Sequence, residues 1–394
     1  MRKLVMKTLS KFNFKNKTVL LRADLNSDVV NGKVVMSERI KQGSETIKEL
    51  KRKGAKVVVL AHQGRKGKKD FISLKGHARL LNKFVKIKFV KDVVGKKAEK
   101  GIKDLKKGEV ILLENVRFLD DEMKPEKIIG SGSKAHESAK GNKFFKLVDW
   151  VDAYVNDAFS VCHRKQASIV LFPKYLPSFA GRILEREVKA LKKIKLKNTL
   201  YILAGAKPED NIKLLMGNKV LAGGLFGQTC LNASGKALGA QDKYLKKEIR
   251  DYDGIKIKLK RKLKNVEMPT DFAVKIRGKR EEVRIGGFPN KYEIYDIGFE
   301  TIKKYVKEIR KAKAIYMKGP AGDCSQKQFC KGTFALLKAI SNNKGFSLIG
   351  GGHLSDAIEA SKINKKKFGH LSLSGGALLR YVAGEKLVGL EALK

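Results

Sequence analysis

Short aliphatic, β-branched runs alternate along this chain with stretches of helical period. Thr18–Arg22, Lys56–Ala61, Val110–Leu113 and Ala153–Val155 read as strands, and Ser37–Lys53 and Leu74–Lys83 as helices with one apolar face. Strand, turn and helix in repeated succession predict βαβ units around a parallel sheet. Pro173 and Pro177 interrupt the pattern between Phe172 and Ala180, and it then restarts. Further strands are expected at Thr199–Ala204, Lys219–Ala222, Ala312–Met317 and Phe346–Ile349, with a helix over Pro208–Met216. Pro208 suits a first helical turn, and Glu209 and Asp210 suit the positive end of the helix. The expected fold class is therefore α/β, with two doubly wound parallel-sheet domains of similar size. The expected division is 1–175, 181–380 and a short tail 381–394, with a connecting helix over Gly181–Lys193.

Length and composition agree with this reading. The 394 residues are 42% hydrophobic and 32% charged, with 37 glycines and 7 prolines, as expected of globular domains and not of collagen-like or proline-rich chains. The apolar runs fall far short of the ~18 residues of a membrane span, and Phe12–Lys17 lacks an apolar signal core. A cytoplasmic protein is the expectation. Cys162, Cys230, Cys324 and Cys330 show no paired metal-ligand spacing and are expected as reduced thiols. The 86 Lys and Arg against 40 Asp and Glu give a net charge of +46, spread along the chain. That charge admits polyanionic ligands, and it equally admits lysine-rich solvated faces such as Lys66–Lys69, Lys96–Lys97 and Lys365–Lys367.

The two halves differ in the residues at their strand ends, which is where open α/β sheets bind ligands. In the first half these segments carry Arg22, Asp24, Asn26 and Arg39, then His62 and Arg65, then Glu114, Asn115 and Arg117, then Asn156, Asp157, His163 and Arg164. Arginine offers paired donors to carboxylate or phosphate, so this rim suits a small polyanion. In the second half the strand ends are glycine-rich: Ala204-Gly205-Ala206-Lys207, Ala222-Gly223-Gly224, Lys318-Gly319-Pro320-Ala321-Gly322, Gly350-Gly351-Gly352-His353 and Ser374-Gly375-Gly376-Ala377. Glycine turns before helices let backbone N–H groups approach phosphates, which points to a nucleotide. Neither the Walker A string nor the six-position dinucleotide glycine motif is present. A polyanion half and a nucleotide half together imply phosphoryl transfer.

These residues resemble the phosphoglycerate kinase family nearly end to end. Arg22-Ala23-Asp24-Leu25-Asn26 is similar to the family's R-V-D-F-N, Ser37-Glu38-Arg39-Ile40 to its T-R-I, and Ala61-His62-Gln63-Gly64-Arg65 to S-H-L-G-R. Leu113-Glu114-Asn115-Val116-Arg117-Phe118 reads as L-E-N-V-R-F, and Tyr154–Phe159 with His163-Arg164 resembles Y-V-N-D-A-F followed by A-H-R. The tail Gly384–Leu393 is similar to the family's closing segment.

The resemblance implies reversible phosphoryl transfer between 1,3-bisphosphoglycerate and Mg-ADP, giving 3-phosphoglycerate and ATP. It implies triose binding by Asp24, Asn26, Arg39, His62, Arg65, Arg117 and Arg164. It implies nucleotide binding by Gly205, Ala206, Lys207, Gly223, Gly319, Pro320, Ser325, Gly350, Gly351, Gly352 and His353. Arg39, Lys207 and Gly375 would surround the transferring group, and Mg2+ would arrive with ATP or ADP, its protein ligand left open. A monomer that closes about Gly181–Lys193 and the tail is the family-based expectation, with no specific nucleic acid partner and no membrane. The nucleotide half departs from the family's strings. Asn211 stands where a second phosphate-binding lysine is usual, Ser325 where a ribose-binding glutamate is usual, and His353 where a metal-binding aspartate is usual. Lys318 stands in the place of an asparagine and could return the charge that Asn211 removes. The alternatives are a relative that binds triose phosphate without turnover, and a basic protein with secondary RNA binding.

Overall fold

The computed structural model describes residues 6–124, 140–194 and 198–394. Two compact units divide the chain, Met1–Lys189 with Glu385–Lys394, and Ala190–Gly384. The helix Arg182–Lys193 runs across this division. The region of Pro173 and Pro177 lies inside the first unit and leads into a strand of its sheet.

In the first unit the strands are β1 Thr18–Arg22, a hairpin of β2 Val29–Val30 and β3 Lys33–Val34, then β4 Lys56–Leu60, β5 Lys88–Val90, β6 Val110–Leu113, β7 Ala153–Asn156 and β8 Ser178–Ala180. The main sheet has the order β5-β6-β4-β1-β7-β8 and is parallel throughout. Its central strands β4 and β6 are aliphatic at nearly every position and buried on both faces. Val19, Leu21, Val57, Val59, Leu112 and Val155 share one core with Ile40, Ile47 and Leu50 of the helix Glu38–Arg52. Burying each such side chain is worth about 1.5–3 kcal/mol. That helix starts where the Ser37 hydroxyl accepts from the Ile40 N–H at 3.4 Å, and it ends on Lys51 and Arg52.

The second unit holds β9 Leu200–Leu203, β10 Val220–Ala222, β11 Val266–Glu267, β12 Asp271–Ile276, β13 Lys279–Arg284, β14 Ile294–Ile297, β15 Ala314–Lys318, β16 Phe346–Gly350 and β17 His370–Ser372. Its main sheet, β11-β10-β9-β15-β16-β17, is again parallel. An antiparallel sheet β13-β12-β14 has no counterpart in the sequence reading. The helix expected over Pro208–Met216 is only Pro208–Asn211 followed by a 3-10 turn, because Leu215 leaves helical geometry just before Gly217 at φ +94°.

Two of the four cysteines correct the expectation of reduced thiols. Cys324 and Cys330 form a disulfide, while Cys162 and Cys230 are buried and free. A 3-10 turn at Lys327–Phe329 folds the intervening loop back and brings the two Cα atoms to 4.4 Å. No helix among the described residues is long and apolar enough to cross a membrane.

Candidate active site

At the carboxyl ends of β1, β4, β6 and β7 the first unit assembles a cluster of cationic side chains around His62. Arg22, the last residue of β1, is wholly buried. Its Nε donates to the Ser168 hydroxyl at 2.8 Å and its Nη1 to the Ala23 carbonyl at 2.7 Å. Ser168 in turn donates to Glu122 through its hydroxyl (2.8 Å) and its N–H (2.9 Å), and Glu122 lies 3.9 Å from the guanidinium. Burial pushes the Glu122 carboxyl up, against the pull of Arg22 and Ser168.

Arg22 also fixes His62. Its Nη2 lies 3.1 Å from His62 Nδ1. A guanidinium can only donate, so Nδ1 accepts and the ring proton sits on Nε2. Burial first, then Arg22, Arg117, Arg39 and Arg164, hold the His62 pKa well below its ordinary value. The imidazole is therefore neutral at pH 7 and presents an N–H donor within a field of guanidinium charge.

The surrounding loops are held by side-chain amides. Asn115 donates to the carbonyls of Gln63 (2.8 Å) and Ile72 (3.0 Å), and its Oδ1 accepts from the Gln63 and Arg117 N–H groups. Asn26 Oδ1 accepts from the Gly64 N–H at 2.9 Å. Arg39 lies 3.5 Å from Asp24 and donates to the Asn26 carbonyl at 3.2 Å. Arg117 donates to the Gly64 carbonyl, and burial with Arg22 and Arg164 nearby lowers its pKa to about 10. Arg164 donates from Nε to His163 Nε2 at 3.2 Å, and Arg65 is exposed beside Gly64. Asp24, Asn26, Arg39, His62, Arg65, Arg117 and Arg164 thus all lie at the strand ends or helix entry of one sheet. Glu122 and Ser168, which hold Arg22, went unseen in the sequence. Their only signal would have been the need to compensate a buried arginine.

The second unit builds its strand ends from backbone. Ala204 N–H donates to the Lys318 carbonyl (2.8 Å), Gly205 N–H to Pro320 (3.0 Å) and Gly224 N–H to Ala321 (3.0 Å). The turns after β9, β10 and β15 are therefore in contact. Gly319 has φ +78°, and a Cβ there would lie 2.4 Å from the Ala204 carbonyl oxygen. Gly205, at φ +83°, faces the Gly319 Cα across the same seam. Gly223, Gly351 and Gly375 each stand immediately before a helix, Gly224–Ala233, Gly352–Ala360 and Gly376–Val382. Ala206 and Lys207 are exposed after β9, Gly350 ends β16, and His353 is exposed at the second position of its helix. Ser325 is exposed and donates to Asp323 at 2.6 Å. Among the described residues no group of three or more His, Cys, Asp or Glu could hold a metal ion.

The model of the family described as "Phosphoglycerate kinase" matches residues 9–385. The phosphoglycerate kinase of Methanopyrus kandleri is 39% identical, the alignment covering 98% of this chain and 97% of that protein. The Methanobacterium bryantii enzyme is 40% identical over 98% and 96%. The crystal structure of phosphoglycerate kinase from Pyrococcus horikoshii superposes with a TM-score of 0.86 at 35% identity, covering 98% of both chains. The chain belongs to the phosphoglycerate kinase family and carries its activity, phosphoryl transfer to a carboxyl acceptor in glycolysis and gluconeogenesis.

Proposed function

We propose that the first unit binds the triose phosphates, 3-phosphoglycerate and 1,3-bisphosphoglycerate, and the second binds ATP and ADP. The observation that carries this reading is His62, held neutral with its proton on Nε2 and ringed by Arg22, Arg39, Arg117 and Arg164. Asp24, Asn26, Arg65, Arg117 and Arg164 complete the triose site. The acceptor carboxylate of 3-phosphoglycerate is ionised at neutral pH, so the site needs no general base. Its task is orientation and charge neutralisation. Arg39, at the entry of its helix and tethered to Asp24 and the Asn26 carbonyl, is held in one direction, and it neutralises charge on the transferring group.

In the second unit Lys207 and the turns at Gly205-Ala206, Gly223, Gly319-Pro320, Gly350–Gly352 and Gly375 hold the phosphates through their backbone N–H groups. Ser325 meets the ribose, and His353, which follows the triglycine turn, meets the nucleotide beside it. The family uses Mg-nucleotide. Mg2+ is ordinarily bound by nucleotide phosphates, waters and one or two carboxylates, and a unit without a ready-made carboxylate cage among its described residues fits an ion that arrives on the nucleotide. The ion would supply charge neutralisation at the phosphates. Closure about Gly181–Lys193 and the tail, a monomeric state and a cytoplasmic location belong to the same proposal.

Replacing Arg39 tests the assignment. Charge on the transferring group is greatest in the transition state, so Arg39→Ala should lower kcat by about 10²–10³-fold. The KM for ATP should stay as it is. A variant with normal kcat and only a raised 3-phosphoglycerate KM would refute the role.

A further inference from the structure

The most unusual charge in the second unit is Lys318. It closes β15 and pairs in register with Leu203, the last residue of β9. In the order β11-β10-β9-β15-β16-β17, the strands to one side of the β9/β15 boundary run back toward β11 and those to the other run on toward β17. That boundary is the topological switch point, where open α/β sheets bind their ligands. Lys207 comes after β9 on one side of it, and Lys318 ends β15 on the other.

The Lys318 side chain is only 16% exposed. Its ammonium donates to Asn211 Oδ1 at 2.8 Å, and the nearest carboxylate, Asp210, is 3.7 Å away. Asn211 is itself fixed, its amide N–H donating to the Ala204 carbonyl at 3.0 Å. An ammonium has three donors and no acceptor. A neutral amide satisfies one donor and cancels no charge, and the Asp210 carboxylate pairs with the ammonium at 3.7 Å, an ion pair longer than a hydrogen bond. Burial pulls the Lys318 pKa down; Asp210 opposes it, Lys207 adds to it and Glu209 opposes it. A nearly buried cation held by one amide and one ion-paired carboxylate keeps donors for a further anion.

We propose that Lys318, positioned by Asn211, is a phosphate-binding residue that contacts the terminal phosphate of the nucleotide. The inference rests on the assignment of nucleotide binding to this unit. It explains how Asn211 can occupy a lysine's usual place: the charge enters from the neighbouring strand, and the asparagine becomes its holder. Lys318 is thereby a specificity residue, since a contact to the outer phosphates favours ADP and ATP over AMP.

The experiment compares Lys318→Met with the parent enzyme, using calorimetric titration of ADP, ATP and AMP alongside steady-state kinetics. We expect ADP and ATP to bind about 10–100-fold more weakly, the scale of a lost charged hydrogen bond. AMP affinity and the 3-phosphoglycerate KM should be unchanged. Equal weakening of AMP and ADP would make Lys318 a merely structural residue and overturn the proposal, as would unchanged ADP affinity. Should Lys318→Met fail to fold, Lys318→Asn is compared with Lys318→Asn/Asn211→Lys. Recovery of ADP affinity in the double variant supports the exchange of charge between strands, and equal weakness in both overturns it. Normal ADP affinity in Gly205→Val would instead sink the assignment of nucleotide binding to this unit.

Discussion

The two units carry sheets of the same size and solve different recognition problems. Numbering the strands within each sheet from its own first strand, the order is 3-4-2-1-5-6 in the first unit and 3-2-1-4-5-6 in the second. In the first, the strand ends are built from side chains braced by other buried side chains: Arg22 by Ser168 and Glu122, the loops after β4 and β6 by Asn115. In the second, they are built largely from backbone groups braced by turns that touch, with Gly319 against Ala204. The two units therefore tolerate different changes. A side-chain network fails when one member is lost, because a buried partner is left unpaired. A backbone cradle keeps its shape when the side chains around it are replaced and loses it when a Cβ is added. The positions that the sequence resemblance marks as departures, Asn211, Lys318, Ser325 and His353, are all side-chain changes in the second unit.

The largest expected effect is a direct attack on the cradle. Gly319→Ala places a methyl group 2.4 Å from a backbone carbonyl in a left-handed conformation. No flexible side chain is available to yield there, so the β9 and β15 turns must separate. Destabilisation of more than about 4 kcal/mol is expected. Chemical denaturation monitored separately in the two units would show the loss confined to the second. Near-normal stability would mean that the seam is loose and the contrast between the units false.

The first unit is more open to attack through protons. His77 is fully buried, and its Nε2 lies 3.0 Å from Gln63 Oε1, which also accepts from the Ser27 N–H. Oε1 can only accept, so Nε2 carries the proton and Nδ1 has no hydrogen-bond partner. Protonation would place a charged donor there in the dry interior, and burial lowers the pKa from 6.5 to about 4. Between these values the unfolded chain binds more protons than the folded one. The His77 contribution is therefore complete above pH 6.5 and is lost as pH falls toward 4, by about 3 kcal/mol. His62 acts in the same direction. Asp157, raised by burial to about 6, acts in the opposite one, since the folded protein binds more protons between 3.8 and 6. Comparison with His77→Gln isolates the one group: the variant should lose about 3 kcal/mol less between pH 7 and pH 4. Equal acid sensitivity in both proteins would show that His77 is not the group responsible.

The same contrast decides how much of the fold and of the site was legible in the sequence. The alternating pattern exposed the α/β class and most strands, because a parallel sheet covered on both faces writes itself as continuous aliphatic runs. The arginines and histidines of the first unit could be read because each stands just after such a run. Their buried supports could not, since Glu122 and Ser168 lie 100 and more residues from Arg22 and carry no local pattern. The antiparallel sheet escaped because β13, Lys-Arg-Glu-Glu-Val-Arg, is exposed or half-exposed throughout and has no apolar face to betray it. The Cys324–Cys330 bridge escaped for want of a spacing rule, as it depends on a 3-10 turn that folds the loop back. In the second unit the glycine turns were plain, whereas the hydrogen bond from Lys318 to Asn211 joins residues 107 positions apart and appears only when two strands lie side by side.

The smallest expected effect sharpens the comparison from its tolerant side. By the sequence resemblance, Ser325 stands in the place of a glutamate. Its hydroxyl donates to Asp323 Oδ1 at 2.6 Å, and the Ser325 N–H donates to the same oxygen at 3.1 Å. With its hydrogen committed to Asp323, the hydroxyl oxygen keeps lone pairs that can accept from a ribose hydroxyl. Asp323 is the positioning partner, its carboxyl held down by Ser325 and Gln326 against burial. A neutral acceptor of this kind is worth about 0.5–1.5 kcal/mol, less than a carboxylate would give. Ser325→Ala should therefore raise the ADP KM by less than about tenfold, and 2′-deoxy-ADP should lose its disadvantage against ADP in that variant. Ser325→Glu should lower the ADP KM below that of the parent, since it returns a charged acceptor to a cradle that the change does not disturb. If Ser325→Ala abolishes nucleotide binding, or Ser325→Glu weakens it, side chains rather than backbone govern this unit.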